Sequence, residues 1–232
     1  MVRLMVMADT EDMLFDLLPA AQAGFRGRLR LIRPDQWGWA TPCPDWTVRR
    51  LVNHVVLAEQ SYTLLLCGGT GEQFLALQSQ DALGDDPLAA YDRSAAECLR
   101  GFGRPDVLDR VVDYPLGAIP GRQLLALRLT ETVVHTWDLA SAIGADNRLD
   151  PGLVEWIYGN LSRIYDNVSG GPVSGGPVSG GPLGIDSPAQ HRFFAAPPGS
   201  LPADASAQSR LLHLMGRTPR ALRLSPDPQA PS

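Results

Sequence analysis

The sequence predicts an all-α fold, a helical bundle built as one domain. Three observations carry this. Apolar residues recur at helical spacing through four or five separate segments. The stretches between those segments are short or extended and lack the regular alternation that builds a sheet. The length, 232 residues, gives room for one domain of ordinary size with a small appendage.

The first helix is predicted from about Glu11 to Leu31, because Leu14, Leu17, Leu18, Ala21 and Phe25 fall on one face. Pro19 lies inside it and predicts a kink or a late start. RPDQWGWATPCPDW follows and reads as an ordered loop, since aromatic residues at that density are rarely left in water. A second helix starts from a cap at Asp45 or Thr47 and passes Leu51, Val55, Ala58 and Tyr62 to about Leu66. Gly68 and Gly69 end it, and His54 lies on its apolar face. A third helix covers about Asp86 to Leu99. Val107 to Gly117 is β-branched and weakly alternating, which fits a short strand or an extended connector. The fourth helix is the longest, from about Pro120 to Ile143, with Gly144 as its C-cap. Leu124, Leu127, Glu131, Val134, His135 and Asp138 share one of its faces at ~3.6 residues per turn. A fifth helix runs from about Pro151 to Tyr165.

VSGGP then occurs three times in tandem, from Val168 to Pro182. Units of Gly, Pro and Ser have nothing to bury and predict a flexible linker, and the absence of a Walker-type lysine argues against a phosphate loop. Asp204 to Gly216 predicts a short capped amphipathic helix, and the final SPDPQAPS a disordered tail.

Composition removes several function classes. Hydrophobic residues make up 44% and charged residues 19%, as in soluble globular proteins. The formal net charge is -5 and no Lys/Arg run occurs, so a nucleic-acid surface has no electrostatic footprint. No stretch approaches the ~20 apolar residues of a membrane span. The N-terminus lacks the apolar length of a signal peptide, so the expected localisation is cytoplasmic. Cys43, Cys67 and Cys98 are odd in number, widely spaced and outside any CxxC pattern, which fits a reduced protein and excludes a zinc ribbon. Cys43, between two prolines, reads as a packed turn residue in preference to a reactive thiol.

His54, Glu131 and His135 are the residues that suggest chemistry. On a helix, residues four apart sit about 40° apart around the axis and ~6 Å along it, so Glu131 and His135 can face one ion. His54, from a facing helix, would supply a third donor, which is how bundles build metal sites. Two imidazoles and a carboxylate hold a divalent ion and leave positions open. The plainer alternative is an ExxxH ion pair on a helix surface and a hydrogen-bonded core histidine. Asp138, one turn beyond His135, fits either an outer-shell acceptor for a ligand imidazole or an ordinary helix hydrogen bond. His191 and His213 have no matching partners and are read as non-functional. Trp37, Trp39 and Trp46 leave three uses open: covering the cleft mouth, packing inside, or forming a homodimer contact.

WATPCPDWTVRRLVNHVV followed by LTETVVHTWDLASAIG, with the tail PADASAQSRLLHLMGRTP, resembles the DinB/YfiT-like metalloprotein superfamily. More narrowly, the chain resembles the actinobacterial metal-binding family related to mycothiol-dependent maleylpyruvate isomerase, over about Leu14 to Arg217 apart from the repeat. The resemblance implies a DinB-like four-helix bundle with a short C-terminal appendage. It divides the chain into a bundle at 8–167, a linker at 168–184, a completing segment at 185–224 and a tail at 225–232. It implies a divalent metal, zinc before nickel, iron or manganese, held by His54, Glu131 and His135. It also implies mycothiol or another low-molecular-weight thiol as cosubstrate, and S-transfer or cis–trans isomerisation of a small electrophilic metabolite. The full isomerase has a larger C-terminal domain than the short segment here, and its other catalytic groups align with no motif of this chain. A thiol-independent metal-assisted isomerase, cyclase or hydrolase stays open, as does a non-catalytic metal- or small-ligand-binding protein. A non-haem iron(II) oxygenase uses the same donor types, and the resemblance argues against it.

Overall fold

A computed structural model of the chain describes residues 2–165, Val168 and residues 200–218, with side chains from residue 13 onward. The repeat beyond Val168, His191, most of the 185–224 segment and the 225–232 tail lie outside the described residues. Among the described residues the fold is mostly helical, with seven α-helices and one small sheet.

Helix α1 (Val2–Leu29) contains Pro19 and continues through it, so it starts well before the expected Glu11. A single 3-10 turn, Pro34–Gln36, leads into the tryptophan loop. Helix α2 (Val48–Leu66) is capped by Thr47, whose hydroxyl accepts from the Arg50 amide at 3.3 Å, and not by Asp45. Helix α3 (Gly71–Leu77) was not expected. Seven residues are too few to show a helical period. Its signature is instead a capping box, in which Thr70 Oγ1 accepts from the Gln73 amide at 3.2 Å and Gln73 Oε1 from the Thr70 amide at 2.9 Å. Helix α4 (Pro87–Phe102) starts from an Asp86 cap and runs slightly past its expected end.

The chain that follows α4 adds a small sheet to the expected helices, and the helix after it, at 23 residues, is shorter than the 28 of α1, against the expectation that it is the longest. Strands β1 (Val111–Tyr114) and β2 (Gly117–Pro120) pair antiparallel, with Val112 opposite Ile119 and Tyr114 opposite Gly117. Val112, Tyr114 and Ile119 turn inward and bury, which selects the register. Pro120 and Gly121 end the hairpin and begin α5 (Gly121–Ile143). A Cβ on Gly121 would run into the Val107 carbonyl, so glycine alone lets the helix start this close to the preceding turn. Gly144 closes α5 in the left-handed conformation at φ 70°, the cap the sequence predicts. Helices α6 (Pro151–Ile164) and α7 (Ala207–Leu214) complete the described fold.

Helix α5 is the axis of the molecule. It packs against α1, α2 and α6, while α4 closes on α1 and α2 from the far side, and α7 docks on α6. Almost every residue of α5 from Leu124 to Ala140 is buried, polar ones included. Two hydrophobic clusters fill the interior, one containing Leu18, Leu66, Leu129 and Val134, the other Phe25, Leu51, Tyr91 and Leu139. His135 therefore sits on α5 between residues of the two clusters. No helix among the described residues is long and apolar enough to cross a membrane.

Candidate metal centre

The local sequence of three segments converges on one point of α5. Helix α2 buries Leu51, Val55 and Ala58, and this turns His54 toward α5. Helix α5 turns Glu131 and His135 toward α2. The tryptophan loop closes over both. Its ends pair through Thr41 N–H to Trp46 O (3.0 Å) and Val48 N–H to Trp39 O (2.9 Å). At its tip the Trp46 amide donates to Cys43 O at 3.2 Å, across Pro44 and a left-handed Asp45 (φ 63°). Proline followed by a left-handed residue makes a type II turn, which presents Cys43 and Trp46 on the same side.

His54, Glu131 and His135 are brought together, with one candidate ligand atom from each lying within 4.8 Å of the others. His54 Nε2 is 2.6 Å from Glu131 Oε1. The two imidazoles meet edge to face with centroids 5.1 Å apart. The Trp46 ring lies 4.7 Å from the His54 ring and 5.9 Å from the His135 ring, so of the three uses open to the tryptophans Trp46 packs inside, against both histidines. Trp39 stays 36% exposed. His54 and Glu131 keep 25% and 20% of their side-chain surface open, so the trio is reached from their side.

Each of the two α5 donors has its own buried support. His135 Nδ1 is 2.9 Å from Asp138 Oδ2, a contact that fits both readings of Asp138. A proton held on Nδ1 by that carboxylate leaves the Nε2 lone pair free for a ligand. Asp138 in turn receives Arg217 through Nη2 to Oδ2 (2.6 Å) and Nε to Oδ1 (3.1 Å). On the other side, Glu131 Oε2 accepts from Arg128 Nη1 at 3.1 Å. Arg128 is wholly buried, gives two further hydrogen bonds to Thr132 Oγ1 and lies 3.9 Å from buried Glu59.

The charge states suit ligation. Burial pushes the Glu131 carboxyl up, but Arg128 and then His54 outweigh it and hold the group well below the usual carboxylate range. Asp138 is depressed in the same way, burial being outweighed by Arg217 and His135. Burial pulls His135 down, against the opposing pull of Asp138, which favours the neutral imidazole a metal needs.

A second set of donor types, Cys43, His135 and Asp138, is equally compact. Its chemistry rules against a cation. Arg217 already places a guanidinium 2.6 Å from Asp138 and 3.4 Å from Cys43 Sγ. Burial and the Asp138 charge push the Cys43 thiol far up, which keeps its proton on. Cys43 is thus a packed residue of the turn, as its flanking prolines suggest. His213 lies on α7 beside a groove lined by Tyr158, Leu201, Pro202 and Arg210, which shares no residue with the trio.

Sequence reasoning missed Arg128, Glu59 and Arg217. Arg128 precedes Glu131 by three residues, a spacing that faces the same side of a helix and could have been used. Glu59 follows His54 by five, a weaker signal. For Arg217 the sequence offers no spacing at all, because 79 residues separate it from Asp138.

Comparisons with known proteins bear on this geometry. The family described as the mycothiol maleylpyruvate isomerase N-terminal domain matches residues 18–140, a span that contains the trio, Arg128 and Asp138 but not Arg217. The uncharacterized proteins MT0763 and Rv0738 of Mycobacterium tuberculosis are each 34% identical over 133 residues, covering 57% of this chain and 69% of theirs. Crystal structures of the mycothiol-dependent maleylpyruvate isomerase, and of a histidine-to-alanine mutant of it, superpose with a TM-score of 0.53. They cover 81% of this chain and 80% of that one at 17% identity, so the likeness is one of fold.

Proposed function

The chain belongs to the mycothiol maleylpyruvate isomerase N-terminal domain family, and from that premise we propose that it is a metal-dependent enzyme acting with mycothiol on a small electrophilic metabolite, as an isomerase or S-transferase. The ligands would be His54, Glu131 and His135, and zinc the ion. The observation that carries this reading is the convergence of these three side chains from two helices, with one candidate ligand atom of each within 4.8 Å of the others. On the same footing, α1, α2, α4 and α5 are proposed to be the four helices of a DinB-type bundle, and the protein to work in the cytoplasm.

A divalent zinc in this setting would supply Lewis-acid polarisation and would favour the thiolate form of a bound thiol. The chain's own groups do the rest. Asp138 fixes the His135 tautomer and ring orientation, and Arg217 fixes Asp138. Trp46 covers one side of both imidazoles with apolar surface, which excludes water there and strengthens every charge interaction behind it. The open side, toward His54 and Glu131, is where a thiol and substrate would approach. Burial pushes the thiols of Cys43 and Cys98 up, so the reacting sulfur on this reading comes from the cosubstrate.

The test is turnover. Protein incubated with mycothiol and an electrophile, first monobromobimane and then a cis-dienoic keto acid, should form thiol adduct or trans isomer. The reaction should stop with a chelator and return with zinc. Thiol-independent turnover would move the assignment to a metal-assisted isomerase or hydrolase. Metal-dependent thermal stability without any turnover would leave a binding protein.

A further inference from the structure

The two carboxylate oxygens of Glu131 have different partners. Oε1 faces His54 Nε2 at 2.6 Å, while Oε2 accepts from Arg128 Nη1 at 3.1 Å. Arg128 has little freedom to release it. Its side chain is fully buried. Thr132 Oγ1 accepts from Nε at 3.0 Å and from Nη2 at 2.8 Å. Its guanidinium lies 5.4 Å from the centre of the Tyr62 ring, and Glu59 Oε1, itself buried and held by Gln22 at 3.2 Å, balances its charge from 3.9 Å. On an exposed helix an Arg–Glu pair three residues apart would mean almost nothing. Here the fold buries the Arg128 guanidinium beside Glu59, whose carboxyl burial pushes up, where well-packed apolar residues of similar volume would serve stability as well or better. What an apolar pair could not do is hold one carboxylate oxygen.

We propose that Arg128 is a positioning residue that reserves Glu131 Oε2, restricts Glu131 to one metal-binding oxygen, and so keeps a further position on the ion free for thiol or substrate. The inference rests on the metal reading above. A carboxylate can bind an ion through one oxygen or both, and each extra protein donor takes a position the chemistry needs. Arg128 makes that choice from outside, by occupying the second oxygen. Glu59 and Thr132 then serve to keep Arg128 aimed.

Infrared difference spectra of zinc-loaded against metal-free protein, with carbon-13 glutamate to identify the bands and Glu131→Gln to assign them, read this directly. A carboxylate bound through one oxygen shows a wide separation between its antisymmetric and symmetric stretches, and one bound through both shows a narrow one. The wild type should show the wide separation. Arg128→Met should narrow it, and Arg128→Lys, which keeps a buried cation and its N–H, should restore it. Because Arg128→Met also takes the cation away from buried Glu59, Glu59→Gln/Arg128→Met supplies a second variant with no carboxyl at that position, and it should narrow the separation too. A narrow separation in the wild type, or a wide one in both methionine variants, overturns the proposal while leaving the metal site intact. Elemental analysis separates the two readings, since a wild type that takes up no zinc removes the site and this inference with it.

Discussion

Glu131 and His135 are one helical turn apart, and each is backed by a buried arginine, but the arginines come from opposite ends of the chain's organisation. Arg128 sits on the same helix as Glu131, three residues earlier, and its support from Thr132 is also local. Arg217 reaches Asp138, behind His135, from the segment that follows α7. The first support is built within α5 and is fixed when α2 packs Glu59 and Tyr62 against it. The second forms only when the C-terminal segment docks. The supports of Glu131 and His135 therefore depend on different parts of the fold: the packing of α2 on α5 for one, the docking of the C-terminal segment for the other.

The local side should be the harder one to break without damage. Arg128→Met takes the cation away from buried Glu59 and from Glu131, which keeps His54 as a partner, and removing one partner of a buried pair costs about 3–5 kcal/mol. Chemical denaturation of the metal-free protein should show a loss toward the low end of that range, with the share due to Glu59 recovered in Glu59→Gln/Arg128→Met. Arg217→Met should fall below it, at roughly 2–3 kcal/mol, because Asp138 retains His135 as a partner. Combined with Asp138→Asn the two losses should not add, since the residues touch.

Asp138→Asn should separate support from folding. Outer-shell partners of a ligand histidine typically account for ~10–100-fold in metal affinity. Competition with a chromogenic chelator should show a weakening of that order, with the helical circular dichroism unchanged. The same variant bears on pH. Asp138 is depressed in the folded state, so the stability it contributes is complete above the ordinary aspartate value of about 4 and is lost as pH falls through the depressed value. The acid limb of the stability profile should flatten in Asp138→Asn. The smallest effect belongs to Cys43→Ala, about 1 kcal/mol, because Cys43 packs beside Arg217 without carrying charge. Thermal melts would read it.

This comparison also explains what the sequence could convey. Helical periods placed α2, α4, α5 and α6 to within a few residues, and the caps at Thr47 or Asp45 and at Gly144 were visible because capping is local chemistry. Helix α3 and the β1–β2 hairpin were missed, or left ambiguous, because segments of seven and four residues cover only about two periods, too few repeats to stand out. The convergence of His54, Glu131 and His135 was legible for the same reason as the long helices: Glu131 and His135 share a face, and His54 lies on an apolar one. Arg217 was not legible, since nothing in GRTP states which of the chain's carboxylates it will meet. That pairing is decided by how α7 docks, a tertiary outcome that no spacing records.

The account stands on His54, Glu131 and His135 holding a metal, and elemental analysis of the purified protein with its His54→Ala variant tests that most directly. The result expected is about one divalent ion per chain in the wild type, zinc foremost, and its loss from the variant. A His54→Ala protein that keeps stoichiometric metal, or a wild type that binds none when zinc is supplied, would contradict it.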